Sequence, residues 1–309
     1  MQDLVDNIQR VIVGDRTVIR NLILALATGS HVLVEDVPGV GKTTLIKSLA
    51  RSIDLSFRRI QFTPDLLPAD VTGTSIFDNE AAEFRFREGP IFHNVILADE
   101  INRASPKTQS SLLECMQERQ VTVDGVRHVL PEPFLVMATQ NPIEYEGTFP
   151  LPEAQLDRFS LSLNIGYPTE VQEQEMLRQR KVKDPLEELQ PVANREDAIR
   201  ISSAVKEIQV SDSLLNYVVQ ITQATRQQEN LYLGASPRAS LILLKMSQAL
   251  ALFRGDQYLL PDHVKEMAPT VLRHRLMLTP EARWEEVSPD EIIRTLLTEI
   301  PVPGANSYE

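Results

Sequence analysis

The sequence has few of the residues that would staple a fold covalently or with metal. One cysteine, Cys115, occurs in 309 residues; no internal disulfide can form, and the count fits a reducing compartment. Its place in a helix-patterned stretch marks it as a small buried apolar residue. The five histidines, His31, His93, His128, His263 and His274, show no His-x-x-x-His or Cys/His ligand spacing, which argues against a zinc site. There is no Gly-x-Ser-x-Gly elbow, no Gly-x-Gly-x-x-Gly dinucleotide turn, no repeat and no low-complexity tract. Long apolar runs are missing as well. The longest, Leu22 to Ala27, is far too short to span a bilayer, and the first residues have neither the basic nor the apolar region of a secretion signal. A cytoplasmic chain without membrane insertion is expected. Basic charge is in deficit: the net charge is −12 and the pI near 5.0. That balance disfavours non-specific binding to nucleic acid, although a local basic groove is compatible with it.

What is present is enough apolar content, 42%, and enough length for about two domains at ~150 residues each. The stretch that organises them is Val32-Leu-Val-Glu-Asp-Val-Pro-Gly-Val-Gly-Lys-Thr-Thr44. An apolar run reads as a buried strand, Pro38, Gly39 and Gly41 as a turn, and Thr43 to Ile53 as a helix. Backbone amides of Val37, Pro38–Gly39, Val40 and Gly41 surround such a turn, although proline brings no N–H. The first-turn amides of Lys42, Thr43 and Thr44 add the positive end of a helix. This is a phosphate cradle: Lys42 supplies a point charge, and the Thr43 hydroxyl is a ligand for Mg²⁺ between phosphates. Asp36 stands where the motif G-x-x-x-x-G-K-[ST] has its first glycine. The other reading is a chance Gly-Lys-Thr in an ordinary strand-turn-helix.

A second apolar run, Val95-Ile-Leu-Ala98, ends in Asp99 and Glu100. Two acids at the carboxyl end of a buried parallel strand face the crevice where such sheets bind ligands. Asp99 would hold Mg²⁺ and Glu100 would orient and deprotonate the attacking water. Together the two stretches point to an ATP/ADP site. Phe134–Ala138 is a further buried strand, and Asn141 beyond it is placed to hydrogen-bond that water or the γ-phosphate, or to form a plain Asn-Pro turn. Arg158 follows a short helix from Glu153. It is too far round the sheet for its own nucleotide, but it could reach a neighbouring subunit's; the alternative is a surface ion pair with Asp157. Ser236 and Pro237 start a helix that fixes Arg238 in its first turn, from which it could report nucleotide state or face solvent. Val13 and Gly14, in a loop before the first strand, could edge an adenine or simply join two helices.

Between these motifs the pattern predicts helix, break near Val13–Asp15 and helix up to Gly29, then a strand over 57–62. A short helix and a β-hairpin follow within 64–92. Phe77, Phe84 and Phe86 on that hairpin are expected to pack back onto the domain, with grip on a partner as the other reading. A helix starts at Ser105–Pro106, a hairpin turns at Asp124-Gly125, and a fifth strand covers 161–165. Beyond Tyr167-Pro168 strand signals vanish, and helices are expected over 170–181, 195–209, 212–227, 237–254, 261–273 and 289–299. The acidic, proline-flanked tract 184–191 is read as the boundary between domains 1–185 and 186–309.

Glu35–Thr43, Ala98-Asp-Glu-Ile-Asn-Arg103, Ala138-Thr-Gln-Asn-Pro142, Leu156-Asp-Arg-Phe159 and Gly234-Ala-Ser-Pro-Arg238, in that order, resemble the MoxR family of AAA+ ATPases. The resemblance spans nearly the whole chain. It implies an α/β AAA+ P-loop core, a parallel five-stranded sheet flanked by helices, followed by an all-α C-terminal lid. It also implies Lys42 and Thr43 as Walker A, Asp99 and Glu100 as Walker B, Asn141 as sensor 1, Arg238 as sensor 2 and Arg158 as arginine finger. The insert 64–92 is similar to the helix-2 insert, and 120–129 to the pre-sensor-1 hairpin. A homo-oligomeric ring, usually hexameric, is implied, with Mg-ATP hydrolysis rocking lid against core. Client proteins activated or metallated by it, and von Willebrand factor A domain partners, follow from the same likeness. A motor on nucleic acid and a nucleotide-gated scaffold with little hydrolysis are the competing functions.

Overall fold

The computed structural model describes residues 1–141, 147–181 and 183–303. Pro142, which closes the Ala138–Pro142 motif, and residues 304–309 of the expected second domain lie outside them. Helix α1 (Gln2–Gln9) and α2 (Arg16–Ala27) come first, the second capped by Asp15, whose carboxylate accepts from Thr17 N at 2.7 Å. Strand β1 (Val32–Glu35) then leads to α3 (Lys42–Ser52), β2 (Phe57–Gln61), the short α4 (Pro68–Thr72) and the hairpin β3 (Gly73–Asp78) and β4 (Glu83–Glu88). Next are β5 (Val95–Asp99), α5 (Pro106–Glu118), the hairpin β6 (Gln120–Val123) and β7 (Val126–Val129), and β8 (Leu135–Gln140). Helix α6 (Glu153–Leu156), β9 (Leu161–Leu163), α7 (Glu170–Arg180) and α8 (Pro185–Glu188) follow. The rest is α9 (Arg195–Glu207), α10 (Asp212–Thr225), β10 (Leu231–Leu233), α11 (Pro237–Arg254), α12 (Pro261–Leu272), β11 (Met277–Leu278), α13 (Pro280–Trp284) and α14 (Pro289–Glu299).

The expected five-stranded sheet is present, in the order β2-β5-β8-β1-β9, with parallel pairing of β2 with β5, β5 with β8, and β8 with β1. Val32–Val34, Val95–Ala98 and Leu135–Ala138 are fully buried, as continuous apolar runs covered on both faces must be. The order places β8 between β1 and β5, so the carboxyl ends of the three strands that carry the motifs lie side by side.

The chain packs as two units, residues 1–152 with 163–199, and residues 153–162 with 200–309. The tract read as a boundary thus lies inside the first unit. Arg51 donates to Leu189 O at 2.7 Å and to Glu187 O at 2.6 Å, and Val192 N reaches Ser52 O at 2.9 Å. Backbone carbonyls do this holding, which composition does not reveal. In the second unit α10, α11, α12 and α14 bury Tyr217, Leu243, Met246, Val264, Val271 and Ile293 among them. Strand signals do not vanish entirely there. β10 and β11 form a small antiparallel ribbon, too short for a periodicity and paired only through tertiary folding. Among the described residues no helix is long and apolar enough to cross a membrane.

Candidate functional site

The site is built where β1, β5 and β8 end. After β1 the chain turns through Gly39 and Gly41, both at φ 90°. A Cβ at either would meet nothing within 4 Å, so it is the left-handed backbone and not crowding that asks for glycine. Gly41 caps α3 without a side-chain hydrogen bond, which leaves the first amides of the helix for a ligand. Lys42 Nζ donates to Asp36 O at 2.8 Å and to Val37 O at 3.1 Å. Burial lowers its pKa, and Asp36, Asp99 and Glu100 oppose that shift. A cavity of about 370 Å³ lies against this turn, lined by Lys42, Thr43, Asp99, Glu100, Asn141 and Arg59 among others. The structure therefore brings five of the sequence-predicted groups, Lys42, Thr43, Asp99, Glu100 and Asn141, into one cavity wall.

Asp36 proves to be more than a departure from the motif. It is 6% exposed; Oδ1 accepts from Val37 N at 2.9 Å, and Oδ2 from Ile165 N and Gly166 N at 2.7 Å each. The carboxylate ties the start of the phosphate turn to the chain leaving β9, a contact that a glycine could not make.

The two acids are held by neighbours that sequence reasoning missed. Thr139, 1% exposed, donates Oγ1–H to Asp99 Oδ1 at 2.6 Å and accepts from Glu100 N at 2.9 Å. Arg59 on β2 donates to Asp99 Oδ2 at 2.7 and 3.0 Å. Gln61, two residues on and so on the same strand face, donates to Glu100 Oε2 at 2.6 Å, and Arg103 Nη1 reaches that oxygen at 3.0 Å. Glu100 itself sits at φ 56°, a left-handed backbone uncommon for a non-glycine residue. The signal for Arg59 and Gln61 was in the alternation of 57–62. Reading it required knowing that β2 pairs with β5, with Gln61 opposite Asp99.

A second cavity, about 520 Å³, adjoins the turn. Val13 and Gly14 line it together with Tyr167, Pro168, Met176 and Arg180. It is large and apolar enough for a nucleobase with its ribose. Among the described residues no cluster of three or more His, Cys, Asp or Glu side chains forms a metal cage. A hydroxyl and one carboxylate beside a phosphate cradle suit Mg²⁺, which keeps waters and shares phosphate oxygens.

Arg158 and Arg238 belong to the second unit and are half-buried. Arg158 is not paired with Asp157, whose Oδ1 accepts from Arg275 Nε at 2.8 Å. Ser236 caps α11 as expected, accepting from Ala239 N at 3.3 Å, and Arg238 sits in the first turn.

Residues 31–161 match the family described as ATPase family associated with various cellular activities (AAA), and residues 223–296 the AAA lid domain. The chain is 50% identical to YeaC, an uncharacterized protein of Bacillus subtilis, over 98% of this chain and 95% of that one. It is 43% identical to the chaperone MoxR1 of Mycobacterium tuberculosis, over 97% of this chain and 81% of that one. A crystal structure of a protein from Cytophaga hutchinsonii, provisionally assigned as an ATPase, superposes with a TM-score of 0.92 at 40% identity, covering 97% of this chain and 94% of that one.

Proposed function

The chain belongs to the MoxR family of AAA+ ATPases, and on that premise we propose that it hydrolyses Mg-ATP in a homo-oligomeric ring, hexameric by family likeness, to remodel or activate client proteins. The observation that carries the reading is the convergence of Lys42 and Thr43, Asp99 and Glu100, and Asn141 on one cavity at three adjacent strand ends. Amides from Gly39 to Thr44 and the Lys42 ammonium bind the phosphates of the substrate. Val13 and Gly14 edge its base. Thr43 and Asp99 would hold Mg²⁺, which when bound neutralises charge on the phosphate oxygens. Asn141 orients the attacking water, and Glu100 takes its proton through the carboxylate now bonded to Gln61 and Arg103. Arg238 senses the γ-phosphate of its own subunit, and Arg158 offers a guanidinium to the neighbour's, where charge develops on the transferring group. Residues 1–152 with 163–199 serve as the core and 153–162 with 200–309 as the lid in this reading. The exposed hairpin β3–β4 is the surface offered to clients, with von Willebrand factor A domain proteins as partners.

Glu100→Gln tests this directly. The variant should bind ATP as the parent does and lose about 10²–10⁴-fold in turnover, the usual contribution of a positioned general base. Parental phosphate release in Glu100→Gln would remove the residue from that role. One observation favours the scaffold as a second reading: both acids are satisfied within the chain, Asp99 by Arg59 and Glu100 by Gln61 and Arg103. Nucleotide binding without measurable phosphate release by the parent chain would select it.

A further inference from the structure

In the second unit one carboxylate joins the segment that carries Arg158 to the helix that carries Arg238. Asp157 Oδ2 accepts from Ser236 Oγ at 2.8 Å and Asp157 Oδ1 from Arg275 Nε at 2.8 Å. Ser236 is also the cap of α11, two residues before Arg238. Arg275, 4% exposed, grips the same segment. Its Nη2 donates to Asp157 O at 3.2 Å and to Phe159 O, and its Nη1 to Ser160 O at 3.3 Å and to Val271 O on α12. His274 Nε2 lies 3.0 Å from Phe159 O. A buried arginine so fully paired contributes little stability over an apolar replacement, but it fixes a geometry. Arg158 and Arg238 themselves make no side-chain hydrogen bond or ion pair among the described residues.

We propose that Asp157 is a positioning residue that couples Arg238 to Arg158 through Ser236, so that nucleotide in a subunit's own site sets the pose of the arginine it offers to the next. The inference rests on the roles given above to those two arginines. A pull on Arg238 moves the first turn of α11 and Ser236 with it. Asp157 follows through its hydrogen bond, and Arg158 is the next residue in the chain. Arg275 holds the carboxylate and the backbone of 157–160 together and ties them to α12, so the segment follows the lid helices as one piece.

The test is ATP turnover as a function of ATP concentration on the full chain, with the Kd of a non-hydrolysable ATP analogue measured alongside. Ser236→Gly removes the hydroxyl while keeping a residue that helix starts accept, and Asp157→Asn removes the charge that Arg275 grips. Both should bind the analogue like the parent, lose about tenfold in kcat and lose the sigmoidal dependence on ATP, in the range of typical coupling effects. Ser236→Thr, which keeps the hydroxyl, should retain both the parental kcat and the sigmoidal dependence. Adding Ser236→Gly to Arg158→Ala should cost nothing further, because the uncoupled arginine is already gone. Unchanged kcat and sigmoidicity in folded Ser236→Gly, a fully multiplicative loss in the double variant, or a hyperbolic parent curve each overturns the coupling. Should Asp157→Asn fail to fold, Ser236→Gly and the double variant carry the test. Parental turnover in both Arg158→Ala and Arg238→Ala is a different result: it refutes the roles of the arginines, whatever Asp157 does.

Discussion

Asp36 shows what a motif conceals at the scale of one residue. Compared with the phosphate-loop pattern it is an acid in place of glycine. In the fold it satisfies three backbone amides, Val37, Ile165 and Gly166. Restoring the motif with Asp36→Gly should therefore harm the protein: removing a buried charged acceptor leaves amides unpaired at about 1–3 kcal/mol each. A drop of at least about 2 kcal/mol in denaturant unfolding is expected; a neutral or stabilising result would show that water replaces the carboxylate. His274 sets a pH dependence. Burial first, then the adjacent Arg275 charge, holds its pKa well below the ordinary 6.5, so the folded chain keeps it neutral. Below pH ~6.5 the unfolded chain takes up a proton that the folded one refuses, and stability falls with falling pH by up to about 1.36 kcal/mol per unit. His263 is shifted in the same direction, chiefly by burial. His274→Gln should flatten the slope of melting temperature between pH 6.5 and 5. An unchanged slope would assign the loss elsewhere. At this scale the charged and amide groups of the site were legible because each motif is local in sequence. Their partners Arg59, Gln61 and Thr139 were not, because what makes them partners is strand order.

Among the elements, the helices and strands of the first unit fall within a few residues of the expected spans, since caps and periodicity agree. Ser105 accepts from Thr108 N at 3.4 Å, and Pro106 occupies the first helical position, as the local chemistry requires. The hairpin β3–β4 departs from expectation. Phe77 and Phe84 do not pack back on the domain: they are 52% and 73% exposed and stack edge-to-face on each other, centroids 5.3 Å apart. Phe86 does pack back, with its ring 3.9 Å from His128 on β7 and 5.6 Å from Phe92. Alternation alone cannot separate these outcomes, because Phe84 and Phe86 both obey it and only the placement of a second hairpin decides. The energies should separate accordingly. Phe86→Ser loses packed area and is expected to cost about 1–3 kcal/mol. Phe77→Ser with Phe84→Ser surrenders only an exposed aromatic pair, about 0.5–1.5 kcal/mol, and should leave basal turnover intact. Thermal melts of the two variants decide; a tip pair as costly as Phe86 would mean that those rings are covered in the working protein.

For the whole molecule, the proposed chemistry depends on Arg158 acting between subunits, and mixing can expose that dependence. Arg158→Ala chains keep every nucleotide-binding group but offer no guanidinium. Lys42→Ala chains lack the phosphate-binding ammonium and still carry Arg158. Each should be nearly inactive alone. In a closed ring with head-to-tail contacts, every site faces one neighbour. Random assembly of equal amounts then puts an intact cradle against an intact arginine at about one interface in four, so mixing should recover about a quarter of parental turnover. The recovery needs subunit exchange, which chains joined as tandem dimers of the two variants would bypass. No recovery at any ratio, in mixtures or tandems, would mean that Arg158 does not act in trans. The acidic balance of −12 adds a condition that separates the proposed function from a nucleic-acid motor. Net negative charge disfavours non-specific binding of polynucleotides, so the recovered turnover should be indifferent to added DNA, and stimulation by DNA would return the nucleic-acid reading.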